Sequence, residues 1–248
     1  MLQDERHNRI LKQLRVKHAV KVAELAKDME ISESTIRRDI NELHQQGRLK
    51  RVFGGAVSIG GDPVAAEADV AARSRVSIEE KEKIARYAAA MINDNDFVFL
   101  DAGTTTEKMI DFLEKRNVTY VTNGIMHAKK LIDHGFHTYM IGGFLRTSTE
   151  AVIGEAAIET IRKYNFTKCF MGTNGIDKER GFSTPDIGEA AVKRAVMEQS
   201  YVSFVLADHT KFGIISPVTF ADLGDACIIT DQAVSEELHQ HTVIKEVE

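Results

Sequence analysis

Two short stretches of this 248-residue chain hold residue types that do chemistry with phosphate groups. One is DAGTTT (Asp101, Ala102, Gly103, Thr104, Thr105, Thr106), directly after the apolar run FVFL at 97–100. A strand that ends in small residues and feeds a helix presents backbone N–H groups with no intrahelical partner, and threonine hydroxyls add donors. That is a phosphate cradle in principle. It is not a Walker loop, because the glycine, four-residue gap and Gly-Lys-Ser/Thr pattern is missing. The plainer alternative is that Asp101 and the threonines only cap the helix. The other stretch is ISESTIRRDINELHQQGRLKRVFGG at 31–55. Its arginines, amides and hydroxyls are the side chains that bond guanine, adenine and phosphate oxygens.

Further candidates stand where other apolar runs end. Asn123 and Gly124 follow the run at 119–122, and Gly142 and Gly143, with Arg146, follow 138–141. Thr173, Asn174 and Gly175 follow 168–172, and Asp208 with Lys211 follows 202–207. Each alone is more often a turn than a site. Their joint position matters because these runs, with a last one at 227–230, alternate with helical patterns. That alternation implies a mostly parallel sheet covered on both faces, whose ligands bind at the strands' carboxyl ends. Arg146 and Lys211 would supply charge for a phosphate dianion, and Asn123 and Asp208 could bind sugar hydroxyls. Gly142 and Gly143 would allow close backbone approach. An amphipathic helix at 78–92 opens this half, and the helix after DAGTTT is expected to run to about Lys115.

The stretch at 31–55 needs its own scaffold. Ile10, Leu11 and Leu14 recur at helical spacing within 4–17, and Val22, Leu25, Ala26 and Met29 do so in a second helix near 21–28. Glu30 and Ile31 turn the chain, Ser32 is a good N-cap for a third helix, and Gly47 suits its left-handed end. Ile36, Ile40 and Leu43 form one apolar stripe, which must pack on the first two helices. Ser34, Arg38, Asn41 and Gln45 lie opposite, with Thr35 and Arg37 on the flanks. Short helix, turn, then a capped polar-faced helix is the helix-turn-helix arrangement. Residues 49–53 alternate as a strand, and Gly54-Gly55 is expected to turn a hairpin into 56–58. That hairpin would be a wing, with Arg48, Lys50 and Arg51 near the sugar-phosphate backbone. The alternative is a three-helix bundle with a solvated basic tail.

Charge divides the same way. Residues 1–57 carry 12 Lys+Arg against 8 Asp+Glu, and the rest carries 20 against 29, giving −5 for the whole chain. Only the first part suits a polyanion. The polar start MLQDERHNRI lacks a secretory signal's apolar core, and no apolar run approaches the roughly 20 residues a membrane span needs. Cys169 and Cys227, far apart in apolar surroundings, read as free thiols in a reducing compartment. The nine histidines form no HExxH-like pattern, so neither a metal nor a cofactor is expected. Residues 58–74, with Gly-Gly, a proline and small residues, read as a linker between domains at 1–57 and 75–248.

ESTIRRDINEL followed by GRLKRVFGGAV resembles the DeoR family of bacterial transcriptional regulators, helix-turn-helix and wing both in register. The second half, through DAGTTT, VTNG, IGG with Arg146, GTNGI and LADHTKFG, resembles that family's sensor domain, which is similar in fold to ribose-5-phosphate isomerase. The resemblance implies a winged helix-turn-helix joined to a Rossmann-like α/β effector domain that recognises a phosphorylated sugar. Ser32, Ser34, Thr35, Arg37, Arg38, Asn41, Arg48, Lys50 and Arg51 would then face double-stranded operator DNA. Residues 101–106 would form the phosphate loop, and Lys211 would be the ligand-facing lysine. Where the isomerases place acidic residues this chain has Asn174 and Gly175, which cannot act as a general base. Glu189 and Lys193 follow nearby, so an isomerase with an accessory DNA-binding module stays open as the alternative. Residues 108–112 and 181–186 look most like repressors of fructose-utilisation operons, which implies fructose 1-phosphate as inducer. A cytoplasmic homodimer or homotetramer is expected, because helix-turn-helix modules read repeated half-sites.

Overall fold

The computed structural model describes residues 3–17, 19–46, 48–57, 70–114 and 117–247. The chain divides into two compact units, Met1–Ala65 and Ala66–Glu248. Gly47, Ser58, Lys115 and the first twelve residues of the expected linker lie outside the described residues.

In the first unit, helix α1 (Gln3–Lys17) leads to strand β1 (Ala19–Lys21), helices α2 (Val22–Met29) and α3 (Glu33–Gln45), and strands β2 (Lys50–Val52) and β3 (Gly55–Val57). The strands form an antiparallel sheet in the order β1-β3-β2, so the wing has a third strand that the sequence pattern did not suggest. The hairpin turns at Phe53-Gly54, not at Gly54-Gly55. Gly54 has φ of 80°, while Gly55 already pairs with Val52. Gly55 is needed for another reason: a Cβ there would stand 2.0 Å from the Val20 carbonyl oxygen on β1. The core joins Ile10 and Leu14 of α1 to Leu25 of α2 and to Ile36, Ile40 and Leu43 of α3, closed by Leu49 and Ala56. Two polar side chains, His7 and Asp39, are buried beside it among the described residues. Asp39 is fully buried on α3 and accepts from Arg6 at 2.7 and 2.8 Å, which clamps α1 to α3.

The second unit begins with helix α4 (Val70–Ser74), inside what the sequence pattern reads as linker, and helix α5 (Ile78–Ala90). Strand β4 (Phe97–Leu100) and helix α6 (Thr104–Met109) follow; a 3-10 turn ends α6 at Phe112, short of Lys115. Strand β5 (Thr119–Thr122), helix α7 (Ile125–Asp133) and strand β6 (His137–Met140) complete one half of the sheet. A small antiparallel pair, β7 (Phe144–Arg146) and β8 (Ala151–Ile153), and helix α8 (Glu155–Ile161) lead back to strand β9 (Phe166–Gly172). Strands β10 (Gly175–Asp177) and β11 (Gly181–Thr184) and helix α9 (Ile187–Glu198) precede strands β12 (Ser200–Leu206), β13 (Val218–Ala221) and β14 (Cys227–Thr230). A four-residue helix, α10 (Glu236–His239), and strand β15 (Ile244–Glu246) close the chain.

The main sheet has seven strands in the order β15-β14-β12-β9-β4-β5-β6, and each pairing is parallel. Alternate residues feed two cores, as a two-residue strand period requires. Phe99, Val121, Cys169, Met171 and Val205 face α8 and α9, while Val98, Leu100, Tyr120, Phe170 and Phe204 face α5, α6 and α7. From β4 the chain winds outward through β5 and β6, then returns to β9 and winds the other way. The order therefore reverses between β4 and β9, and the carboxyl ends of these two strands open the crevice where such sheets take ligands.

Candidate functional site

At that reversal the side chain of Asp101, just past β4, reaches across to β9. Its carboxylate accepts from the Gly172 N–H at 2.9 Å and from the Lys193 ammonium. Lys193 also donates to the Gly172 carbonyl at 3.0 Å, and both charged groups are buried. A cavity of about 290 Å³ lies over this pair. Its size suits a small metabolite.

The DAGTTT turn forms one wall, though its residues divide the work. The N-cap of α6 is Gly103, which has no side chain to satisfy the helix's first N–H groups. Thr106 serves only the N-cap's own N–H. Its hydroxyl accepts from the Gly103 N–H at 3.0 Å and approaches the Asp101 and Gly103 carbonyls at 2.6 and 2.7 Å. Behind it, His127 Nε2 lies 3.0 Å from the Gly103 carbonyl and 3.1 Å from the Thr106 hydroxyl. Burial pushes the His127 pKa down to about 4, opposed by the nearby Asp101 and by the Gly103 hydrogen bond, so the ring is neutral. Thr106 is fully buried and does not line the cavity. Gly103, Thr104 and Thr105 do, and the Thr104 and Thr105 hydroxyls take part in no hydrogen bond with the described residues.

The other strand-end residues separate likewise into lining and support. Asn123 borders the cavity, but its carboxamide oxygen accepts from Ala102 N–H at 2.9 Å and so fixes the turn. Gly124 lies behind, packed so closely on His127 that a Cβ would stand 2.6 Å from Nδ1. Arg146 is also outside the cavity lining. It pairs with Glu189 at 3.1 Å and Asp186 at 3.4 Å, so the charge expected of it for a ligand is spent on orienting a carboxylate. Asn174 lines the cavity while accepting from Thr184 at 3.1 Å, and Asp208 lines it while capping the following turn through the Thr210 N–H at 3.0 Å. Lys211 lines it half-buried, its ammonium without a hydrogen-bond partner among the described residues. Gly142 and Gly143 lie elsewhere.

Thr173 lines the cavity as its strand-end position suggested, but sequence reasoning missed Arg73, Lys81 and Thr149, which line it too, and left Glu189 and Lys193 without a place in it. Glu189 is buried against the Thr149 hydroxyl at 2.6 Å. Lys81 is buried and donates to the Arg73 and Val76 carbonyls at 2.5 and 2.7 Å. Burial pushes its pKa down, with Asp208 opposing. A signal existed for Lys81: it shares the apolar face of α5 with Ile84, Ala85 and Ala88, where a lysine has no bland role. Arg73 gave none, because its surroundings read as linker.

In the first unit, α3 starts at Ser32, whose hydroxyl accepts from the Thr35 N–H and lies 2.9 Å from the Ser34 and Thr35 hydroxyls. Ser34, Arg37 and Arg38 are exposed, as are Arg48, Lys50 and Arg51. Arg37 pairs with Glu33 at 2.8 Å. Arg51 donates to the Asn41 carboxamide at 2.6 Å, which ties the wing to the exposed side of α3. Phe53, at the wing tip, is fully exposed. His7, Asp39 and Glu42 offer atoms close enough to hold an ion, but Asp39 is already saturated by Arg6.

The comparisons with known proteins match this division. A DeoR-like helix-turn-helix domain matches residues 6–61, and the DeoR C terminal sensor domain matches 76–232. The chain belongs to the DeoR family. It is 43% identical, over 100% of its length and 99% of the relative's, to an uncharacterized HTH-type transcriptional regulator, FruR, of Bacillus subtilis (strain 168). It is 34% identical to the glycerol-3-phosphate regulon repressor of Escherichia coli (strain K12), over 86% of this chain and 84% of that one. Ribose 5 phosphate isomerase A from Neisseria gonorrhoeae aligns over 55% of this chain and 53% of its own at 14% identity and a TM-score of 0.40, a likeness too slight to bear on chemistry. As a DeoR-family member the chain is a helix-turn-helix transcriptional regulator, built as a winged helix-turn-helix and a parallel-sheet α/β domain. Among the described residues no helix is long and apolar enough to cross a membrane.

Proposed function

We propose that the protein represses a sugar-utilisation operon and that a phosphorylated sugar, fructose 1-phosphate, releases it from operator DNA. The observation that carries this reading is the uncommitted set Thr104, Thr105 and Lys211 on one cavity at the sheet's reversal point. Two hydroxyl donors, a cation and the first N–H groups of α6 are what a phosphate needs. The helix is only six residues long, so its dipole is small and the cation matters more. The fructose assignment draws on the likeness of residues 108–112 and 181–186 to repressors of fructose-utilisation operons, and the phosphate on the pocket.

In this reading Ser34, Arg38 and Asn41 read base edges, Ser32, Thr35 and Arg37 hold the flanking phosphates, and Arg48, Lys50 and Arg51 follow the backbone. The repressor works in the cytoplasm as a two-fold symmetric homodimer or a homotetramer, matching repeated half-sites. Release is linkage: a ligand that favours the arrangement with weaker DNA affinity lowers that affinity by the same factor by which DNA lowers its own.

The cavity serves as a sensor and not as an isomerase site. Each of its carboxylates has one oxygen committed as a charge partner or cap, Asp101 Oδ2 to Lys193 and Gly172, Glu189 Oε1 to Thr149 and Arg146, Asp208 Oδ1 to Thr210. A general base needs a lone pair aimed at the substrate's proton. Calorimetric titration with fructose 1-phosphate, glycerol 3-phosphate and fructose, beside operator-binding anisotropy, tests the reading. Binding of a phosphorylated sugar with loss of DNA affinity is expected. Absence of binding, or binding that leaves DNA affinity unchanged, would sink it. So would isomerase turnover that disappears in Glu189→Gln.

A further inference from the structure

Arg73 is the odd cation of the cavity. Its Nε and Nη2 are buried and have no hydrogen-bond partner among the described residues. Each of the cavity's two buried lysines is engaged: Lys193 with Asp101 and the Gly172 carbonyl, Lys81 with the Arg73 and Val76 carbonyls. A guanidinium cannot shed its proton to escape burial, so unpaired buried N–H groups are costly and point to a missing acceptor. The missing acceptor is an anion, since Asp101 and Glu189 are charge-paired with Lys193 and Arg146, and Lys211 also has no hydrogen-bond partner among the described residues. Two uncommitted cations match the charge of one phosphate dianion, and a planar fork suits its oxygens.

The place of Arg73 in the chain gives the contact a consequence. Arg73 lies on α4, the first described element after the DNA-binding unit. Within the second unit α4 lies beside the DAGTTT turn: Val70 borders a shallow cleft with Gly103, Thr104, Gly124 and Thr149. The Lys81 ammonium, holding the Arg73 and Val76 carbonyls, keeps the α4–α5 corner against the cavity wall.

We propose that Arg73 grips the phosphate of the bound effector, and that ligand binding thereby fastens α4, the end of the connection to the DNA-binding unit, onto the sensor pocket. The proposal rests on the sugar-phosphate reading above. Arg73→Met keeps the stem and removes the fork, and Arg73→Lys keeps a charge without the fork. In the full-length protein, calorimetry with fructose 1-phosphate, glycerol 3-phosphate and inorganic phosphate should show affinity falling about 10- to 100-fold in Arg73→Met, with partial recovery in Arg73→Lys. Saturating the wild type with the tightest of the three should slow amide exchange at 70–75, and the same ligand should not do so in Arg73→Met. The unfolding midpoint of Arg73→Met should match or exceed wild type, because no protein hydrogen bond at Nε or Nη2 is lost; a structural arginine would lower it. Unchanged affinity in Arg73→Met, or unchanged exchange at α4 on saturation, overturns this inference and leaves the sensor reading standing. Failure of the wild type to bind any of the three overturns both.

Discussion

Two helix starts in this protein carry three hydroxyls each and use them in opposite ways. At α3 the cap is Ser32 itself, and its hydroxyl, at the surface, serves the Thr35 N–H and both neighbouring hydroxyls. At α6 the cap is a glycine, Thr106 in the interior serves only that glycine's own N–H, and Thr104 and Thr105 are left facing the cavity. The first arrangement puts its polar groups in water, where a substitution changes binding and leaves folding nearly alone. The second suspends two free hydroxyls on a buried network, where the supporting residues carry the stability. Residue type alone does not tell a ligand donor from its scaffold; burial and partners do.

The sharpest way to break that comparison is to cut the network at its most buried point. Lys193→Met should strand the Asp101 carboxylate, which is only 4% exposed, and cost about 3–5 kcal/mol in urea unfolding. Adding Asp101→Asn should recover part of the loss, since the stranded charge goes with it. A single variant within 1 kcal/mol of wild type would mean that water reaches Asp101 and that the network is not interior.

Next in size is His127. Its folded pKa of about 4 lies below the ordinary 6.5, so the unfolded chain binds more protons between those values. The contribution is fully present above pH 6.5 and is lost as pH falls toward 4, on the order of 3 kcal/mol in all. Urea midpoints of wild type and His127→Gln at pH 7.5 and pH 4.5 isolate it, because the other titrating groups cancel in the difference. A difference that does not vary with pH would refute the buried neutral ring. No comparable slope is expected from the surface hydroxyls of α3.

A smaller pair compares the two starts directly. Thr106→Val should cost about 1–3 kcal/mol by removing the buried hydroxyl that ties the Gly103 N–H to the Asp101 and Gly103 carbonyls. Thr104→Val should stay within about 0.5 kcal/mol of wild type yet weaken phosphorylated ligands. Urea unfolding beside calorimetry separates them. Equal stability losses would show that Thr104 is scaffold too.

Much of this was legible because strand and helix periods are strict. Val98 and Phe99 feed opposite cores as alternation requires, and Ile36, Ile40 and Leu43 bury as one stripe. What stayed hidden depends on contacts between residues distant in sequence. Arg146 has the composition of a phosphate ligand, yet its charge is spent on Glu189, 43 residues on. Asn123 looks ready for a sugar hydroxyl, but its carboxamide oxygen is given to Ala102 N–H. Gly55 looked like a turn residue because nothing local reveals that Val20 presses on it. β1 was too short and too close to α2 to show a two-residue period.

The smallest effect on stability, and the largest on specificity, belongs to the exposed face of α3. Arg38 is exposed with no bonding partner among the described residues, so Arg38→Ala should leave the urea midpoint within about 0.5 kcal/mol of wild type. On DNA the same change should cost about 1–3 kcal/mol against the operator and erase preference at one base position. Lys50→Ala should instead weaken binding to every sequence and reduce the slope of log affinity against log salt by about 1. Arg51 tests the division further, because it is exposed yet bonded to Asn41. Removing it both loses a backbone contact and frees an amide that can turn to a base, so Arg51→Ala should shift sequence preference as well as salt slope. Anisotropy titrations at several salt concentrations, on operator and scrambled duplexes, measure all three. If Arg51→Ala behaves as Lys50→Ala does, the wing only follows the backbone, and the face of α3 reads sequence without it.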